Sequence, residues 1–287
     1  MIYALLGTLS YAIANTLIKY VSLNFNLYKS MFFQYIFVSF FGFLLVTFFD
    51  SYKFDMLWHL PLFTIIAVWG FFGIWWLMKW MQHLNSWVNF VVANMYVVLA
   101  YFVNNYLFPG IETFTVAKIL TALLFFIIVS VLLFEKNEDK KIRFNSKIIF
   151  SIIAAIGWTI YSTSTNFAVK TWVITPFQGM FYCELSITLI VIMVYLGNSM
   201  YNKKFDFKIS AHHLFSNMLV SFFIFAWAVW FFVWFSKTLW NYVNIIWLAQ
   251  IPTLAILSFI FLKDRMTKLQ ISTVAWALAV LILFMIV

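Results

Sequence analysis

Residues 135–147, EKNEDKKIRFNSK, decide the fold of this chain. They hold five of the 18 Lys and Arg residues and three of the nine Asp and Glu residues, and nearly unbroken apolar segments lie on either side. We therefore interpret the stretch as a polar linker between two halves, residues 1–134 and 148–287, and compare the halves with each other.

The composition is that of an integral membrane protein. The chain of 287 residues is 65% hydrophobic and 9% charged, whereas soluble domains average about 45–50% apolar and about 25% charged residues. A soluble fold of this composition would lack the polar side chains that its surface needs. The positive residues that give the net charge of +9 lie mainly between apolar segments, which indicates membrane topology and no nucleic-acid partner.

Motifs for catalysis or cofactor binding are missing from the sequence. The single cysteine, Cys183, excludes a disulfide framework and a thiolate zinc site. The four His residues show no metal-ligand spacing, and no GxGxxG, P-loop or GxSxG motif occurs. We therefore expect no metal and no cofactor. A membrane-embedded enzyme is a weak alternative, because it would need a nucleophile–base pair or metal ligands within its spans.

Ten segments of the chain are long and apolar enough to be spanning helices, since about 20 such residues cross the hydrocarbon core. We predict an all-α integral membrane protein with ten transmembrane helices. The segments are 2–21, 30–49, 60–81, 87–108, 115–134, 148–169, 176–197, 214–235, 241–262 and 269–287.

Four short patterns recur in the same order in the two halves, at offsets of 151 to 155 residues. Each pattern alone is weak, but the shared order and the nearly constant offset indicate an internal duplication. The matched positions are Asn15 and Lys19 with Asn166 and Lys170, Lys53 and Asp55 with Lys204 and Asp206, Val88 and Asn89 with Val243 and Asn244, and Glu112 and Thr115 with Asp264 and Thr267.

An odd number of helices in each half gives this duplication a physical consequence. The second half must enter the membrane from the opposite side, which produces an inverted-topology repeat. In carriers of that kind, the substrate site lies near the bilayer midplane between the repeats. The sequence therefore predicts two inverted five-helix repeats that work by alternating access.

The layout resembles the drug/metabolite transporter superfamily, in particular its EamA-type members with ten helices. The likeness rests on Asn15 and Lys19 in the first helix, on Glu112 and Asp264 before the last helix of each half, and on Pro252 in the ninth helix. The proline that is usual in the fourth helix of this family is absent. The resemblance implies a central cavity between the halves and substrates such as amino acids, amines, drugs or nucleotide-linked metabolites.

Two arguments predict the orientation of the chain, and they disagree. The resemblance implies that both termini are cytoplasmic. However, the odd-numbered loops receive 14 of the 18 Lys and Arg residues, and the positive-inside rule then places both termini on the non-cytoplasmic side. We follow the charge count. We expect a plasma (inner) membrane location and a monomer or homodimer.

Glu184 is the acidic side chain that lies well inside a predicted span, the seventh. A charged residue at a helix centre costs about 2.5–3.5 kcal/mol on insertion scales, so it usually faces the protein interior or an aqueous cavity. Removal from water favours the neutral form of a carboxyl group, which lets such a group bind a cation or exchange a proton for it. The alternative is a protonated carboxyl that hydrogen-bonds a neighbouring helix.

Stripes of polar and aromatic side chains on the predicted helices supply the other candidate substrate-binding residues. The same spacing is typical of helix–helix packing in membranes, so both interpretations stay open. Pro252 favours a cavity near it, because a proline frees backbone groups within a span. Aromatic ring faces together with a carboxylate suit a cation. The candidates are Glu184, Tyr11, Asn15, Tyr96, Trp158, Tyr161, Trp227 and Gln250.

These observations predict a secondary active or facilitative transporter of a small metabolite in the lipid bilayer. We expect an amine-bearing solute, either an organic cation or an amino acid, with proton coupling as an open option. The alternative is an exporter of drugs or of phosphorylated or nucleotide-linked metabolites.

Overall fold

A computed structural model describes residues 2–50, 60–82, 91–107, 115–131, 134–136, 142–144, 149–171, 175–203, 207–235, 250–263 and 267–286. Within these ranges the fold consists of ten helices and one short hairpin. The helices are α1 (Ile2–Asn24), α2 (Leu27–Phe49), α3 (Leu60–Met81), α4 (Met95–Leu107), α5 (Val116–Val131), α6 (Ile149–Thr171), α7 (Pro176–Tyr201), α8 (Ala211–Phe235), α9 (Gln250–Leu262) and α10 (Lys268–Ile286).

The surface and the interior show the polarity expected of a protein in lipid. Among the described residues, four helical segments are long and apolar enough to cross a membrane: Leu27–Phe49, Pro61–Lys79, Phe177–Tyr201 and Ala211–Trp230. Large apolar side chains point outward, for example Phe48 at 73% exposure, while polar ones such as Asn217 at 0% are buried. The prediction of a helical membrane protein is confirmed.

Several boundaries differ from the sequence-based prediction. The helix predicted over 87–108 contains a turn at Asn94, whose carbonyl accepts a 3.0 Å hydrogen bond from the Val97 amide, and α4 begins at Met95. The predicted linker contains strands β1 (Phe134–Lys136) and β2 (Ile142–Phe144), which pair antiparallel with Glu135 opposite Arg143. Repeat positions 53, 55, 88, 89, 112, 204, 206, 243, 244 and 264 lie outside the described residues.

Helix α7 begins with a complete capping box. The Thr175 hydroxyl accepts from the Gln178 amide at 3.1 Å, and the Gln178 side chain accepts from the Thr175 amide at 3.3 Å. Pro176 takes the first helical position, where its missing N–H leaves no bond unmade. Asp50, directly after α2, accepts hydrogen bonds from the side chains of Thr175 and Gln178. The end of α2 is thereby attached to the start of α7.

Helices α2 and α7 run antiparallel. Ser39 and Thr188 share a 2.6 Å hydrogen bond in the middle of the pair, and Thr188 also donates to the Tyr35 carbonyl at 3.0 Å. As residue numbers rise on α2 towards Asp50, those on α7 fall towards Thr175. This seam brings Tyr35 and the central part of α7 together.

Helices α2 and α8 run parallel and are joined by buried polar side chains. Ser30 bonds the His213 imidazole at 2.9 Å, and the Gln34 amide donates to Asn217 at 2.9 Å. One turn further, the Ser221 hydroxyl donates to the Gln34 carbonyl at 2.8 Å. Polar side chains between helices give contacts that apolar packing alone does not supply in lipid.

Helices α3 and α6 approach closely because both carry glycines at the contact. A Cβ atom on Gly157 would lie 3.1 Å from the Trp69 carbonyl oxygen and 3.2 Å from the Gly73 nitrogen. Small residues allow this approach of two backbones in membranes. The pairs of helices that pack most extensively are α3 with α6, α1 with α8, α2 with α7, α5 with α10, α2 with α8, α3 with α7, α1 with α9, and α4 with α6.

Candidate functional site

A cavity lies at the centre of the helical bundle, between helices from both sides of the linker. Its volume is about 60 Å³, measured as the space open to the centre of a water molecule. Seven helices contribute to its wall. The lining residues are Tyr11, Asn15 and Ile18 of α1, Tyr35 of α2, Gly70, Ile74 and Leu77 of α3, Tyr96 of α4, Trp158, Tyr161 and Ser162 of α6, Glu184 and Ile187 of α7, and Ile224 and Trp227 of α8.

Glu184 supplies the acidic group of the cavity. Its side chain is 3% exposed, and the Tyr161 hydroxyl donates to its Oε1 at 3.3 Å. Among the described residues, only the Tyr161 side chain donates a hydrogen bond to this carboxylate. No Lys, Arg or His side chain is part of the described cavity wall. The site therefore presents one carboxyl group without a neighbouring cation in the wall.

Aromatic rings form much of the remaining wall. The rings of Tyr11 and Trp227 are 4.6 Å apart and inclined at 36°, which joins α1 to α8. The rings of Tyr96 and Trp158 are 5.8 Å apart and perpendicular, which joins α4 to α6. Electron-rich ring faces attract cations in a site that excludes water. The wall thus places aromatic side chains, which can attract a cation, around the carboxylate.

Helical periodicity explains why these side chains meet. Tyr11, Asn15 and Ile18 are four and three positions apart on α1, so they share one face. Gly70, Ile74 and Leu77 have the same spacing on α3. On both helices the lining residues run from near the middle of the helix towards its C-terminal end. They therefore meet in the interior of the bundle.

Seven of the eight predicted site residues line this one cavity: Tyr11, Asn15, Tyr96, Trp158, Tyr161, Glu184 and Trp227. Gln250 lies elsewhere. Its amide donates to Asn94 Oδ1 at 3.3 Å, so it joins the start of α9 to the turn before α4. Pro252, three residues into α9, led to the prediction that Gln250 lines the cavity. The Gln250 side chain instead packs between helices and is 1% exposed.

Tyr35 is a lining residue that sequence reasoning missed. It is 1% exposed and precedes Ser39 by one helical turn, and Ser39 bonds Thr188 on α7. The spacing of Tyr35 and Ser39 within an otherwise apolar helix was the available signal. Gly70, which lets α3 pack against Ile187 and Tyr161, carried no signal in the sequence, because a glycine in a span also serves simple packing.

Comparisons with known proteins show the fold alone. No protein-family model matches the chain, and no curated protein sequence matches it. A solved structure described as "Crystal structure of protein" superposes with a TM-score of 0.61, covering 96% of this chain and 97% of the other, at 11% sequence identity. The described residues contain no group of three His, Cys, Asp or Glu side chains that would hold a metal ion.

Proposed function

We propose that this protein is a secondary carrier that moves a small amine-bearing solute across a membrane by alternating access. The observation that carries the proposal is the central cavity, in which helices from both halves surround Glu184, the one acidic side chain of the described wall. A site at the meeting point of two similar bundles is the arrangement that lets a carrier expose its substrate to each side in turn. The proposed layout resembles that of the ten-helix drug/metabolite transporters.

The proposed architecture is two inverted five-helix repeats in which all ten helices cross the membrane. The helix packing supports it. If each helix is replaced by its counterpart five places along the chain, a packed pair of helices becomes another packed pair. In this way α3–α6 becomes α8–α1, α2–α8 becomes α7–α3, and α4–α6 becomes α9–α1. The pairs α2–α7 and α5–α10 are exchanged onto themselves. Equivalent helices α2 and α7 run antiparallel, as halves of opposite topology require.

The starts of α5 and α10 give a second, local agreement between the halves. The Thr115 hydroxyl accepts from the Lys118 amide at 3.2 Å, and the Thr267 hydroxyl accepts from the Gln270 amide at 3.3 Å. These two capping residues are 152 positions apart, at the offset of the other matched patterns. The same capping at equivalent helices favours a duplicated unit.

Glu184 carries the proposed chemistry. A carboxyl group in a site with little water binds either a proton or a cationic solute, since the charged form without a partner is unfavourable there. Competition between the two for one carboxylate couples the movement of a cation to the movement of a proton. Tyr161 orients the carboxylate through its hydroxyl.

Exchange of Glu184 for glutamine tests this role. Purified protein is screened by thermal shift against amines, amino acids and phosphorylated metabolites, because a ligand that binds the folded state raises apparent stability. Uptake of the best ligand into proteoliposomes is then compared between wild type and Glu184→Gln. We expect the variant to lose uptake driven by a pH gradient. Ser186→Ala, two residues along the same helix and outside the cavity wall, is the matched control. A Glu184→Gln protein with unchanged uptake and unchanged pH dependence would make Glu184 structural.

The proposed orientation places both termini on the non-cytoplasmic side of the plasma membrane. The 14 Lys and Arg residues assigned to odd-numbered loops support it. A fluorophore that matures only in the cytoplasm, fused to Val287, should stay dark. A bright fusion would reverse the orientation and would place the odd-numbered loops outside.

A further inference from the structure

We propose that the substrate of the cavity is a small ammonium solute that bears N–H groups and carries no acidic group. This inference rests on the proposed carrier function and decides between its two substrate classes, because it selects a simple amine over an amino acid. It also excludes phosphorylated and nucleotide-linked solutes. Charge, hydrogen bonding and volume each contribute a separate step.

The charge of the wall disfavours any solute that has an anionic group. Glu184 is the acid in the described wall, and no Lys, Arg or His side chain lines it. A carboxylate or phosphate on the solute would therefore enter a buried site beside Glu184 with no cation in the described wall to bind. An unpaired buried charge of that kind is among the least favourable groups in a protein, and like charges that face each other repel further.

The nearest basic side chains on the lining helices do not change this conclusion. Lys19 lies on α1 directly after the lining residue Ile18 and one turn after Asn15, and it is not part of the described cavity wall. Lys79 on α3 places its ammonium 5.0 Å from the ring of Trp75, outside the cavity wall. An α-amino acid holds its ammonium and carboxylate on one carbon atom. Because neither lysine is part of the described wall, an α-amino acid bound to Glu184 through its ammonium meets no cation there for its carboxylate.

Hydrogen bonding favours an ammonium with N–H groups over a quaternary one. The Asn15 Oδ1 and Ser162 Oγ atoms belong to lining residues, are buried, and have no hydrogen-bond partner among the described residues. The Glu184 carboxylate accepts one bond, from Tyr161, although a carboxylate has room for about four. A solute that donates N–H bonds serves these acceptors. A tetraalkylammonium ion offers none and leaves them unmatched.

The cavity volume limits the size of the solute. A volume of about 60 Å³ holds about four to six water molecules, at about 10–15 Å³ for each water centre. A solute of about five non-hydrogen atoms fills that space. Apolar lining such as Ile74, Ile187 and Ile224 suits a short hydrocarbon body next to the ammonium.

Five probes separate these requirements, and valinamide, which matches valine in size but carries no carboxylate, is the size control for valine. Isobutylamine has the ammonium, N–H groups and a branched body. Valine is the same molecule with a carboxylate added, isobutanol removes the charge, and tetramethylammonium removes the N–H groups. Binding of each probe to the purified full chain is measured by thermal shift and by titration, and its uptake is measured separately in proteoliposomes.

We expect isobutylamine to bind at least about 100-fold more tightly than valine, since facing like charges discriminate strongly, and at least about tenfold more tightly than isobutanol or tetramethylammonium. Glu184→Gln should abolish the preference for isobutylamine over isobutanol, whereas Glu184→Asp, which keeps the charge, should retain it. The second variant keeps the test valid if the first fails to fold.

Binding of valine or tetramethylammonium as tight as that of isobutylamine would overturn the inference. So would selective binding of a phosphorylated metabolite. In either case, uptake of that ligand would leave the carrier function standing. Conversely, isobutylamine that binds with the expected selectivity but never enters proteoliposomes would uphold the ligand class and refute the carrier function.

Discussion

Gly73→Ala should close the cavity without unfolding the protein. A Cβ atom at this position would lie 2.2 Å from Cδ1 and 2.5 Å from Nε1 of Trp158. Because carbon atoms pack at about 3.5–4.0 Å, the indole must move by about 1.3 Å or more. The backbones of α3 and α6 are already near contact at Gly157. Because Trp158 lines the cavity, we expect its ring to move into that space.

The expected loss of ligand affinity in Gly73→Ala follows from the steric strain that a bound solute would restore. Overpacking a core by one methyl group costs about 1–3 kcal/mol when the neighbours cannot relax. In the empty variant, movement of Trp158 relieves that strain, and alanine gains about 1 kcal/mol over glycine in a helix. A solute must push the indole back against the new methyl group. We therefore expect nearly unchanged stability and a binding constant weakened by about 5- to 150-fold.

The assay compares ligand titrations by thermal shift for wild type, Gly73→Ala and Gly73→Ala/Trp158→Phe. The smaller ring in the double variant removes the clash, so it should regain part of the affinity, judged against Trp158→Phe alone. Gly197→Ala is the matched control, because a Cβ atom there meets no atom within 4 Å. A Gly73→Ala protein that binds ligand as tightly as wild type would refute the proposed position of the site.

Three further substitutions test other contacts of the structure. Tyr161→Phe removes the 3.3 Å donor to Glu184 and should weaken amine binding by up to about tenfold, since the bond to the charged group is long; unchanged titrations would show that the carboxylate needs no orientation. Thr175→Ala removes the α7 cap and the contact to Asp50 and should lower the unfolding free energy by about 1 kcal/mol in detergent. Thr121→Ala should have little effect, because the Thr121 hydroxyl bonds only carbonyls of its own helix, α5. Asn217→Leu leaves the buried Gln34 amide without its partner and should destabilise the protein by about 1–2 kcal/mol. The double variant Gln34→Leu/Asn217→Leu should recover part of that stability. A further loss of stability in the double variant would contradict a specific interaction between the two side chains.

Periodicity and length predicted the helices because the membrane leaves the backbone few alternatives. Every backbone polar group must be hydrogen-bonded within lipid, so a long apolar segment such as 27–49 predicts a helix. The cavity residues on α1 and α6 were predictable for a related reason: Tyr11, Asn15 and Tyr161 interrupt apolar segments at helical spacing, and buried polar groups face other protein groups.

Gln250 and the linker hairpin show what such reasoning leaves undetermined. Gln250 bonds the Asn94 side chain at the turn before α4, and helical spacing does not reveal such a contact between distant parts of the chain. The hairpin forms within a segment whose charges indicate only that water surrounds it. Tyr35 lines the cavity because of how α2 is rotated against α7, and side-chain packing sets that rotation rather than the composition of α2 alone.

The proposed repeat makes the site asymmetric, and the asymmetry limits what a carrier with this site could exchange. At the offset of 151 residues, Ser162 corresponds to Tyr11, and both line the cavity with different side chains. Glu184 corresponds to Phe33, which has no charge. A symmetric pair of carboxylates would accommodate two cations or a divalent ion. One carboxylate that serves both open states binds one ammonium or one proton at a time, so each cycle should exchange one for the other.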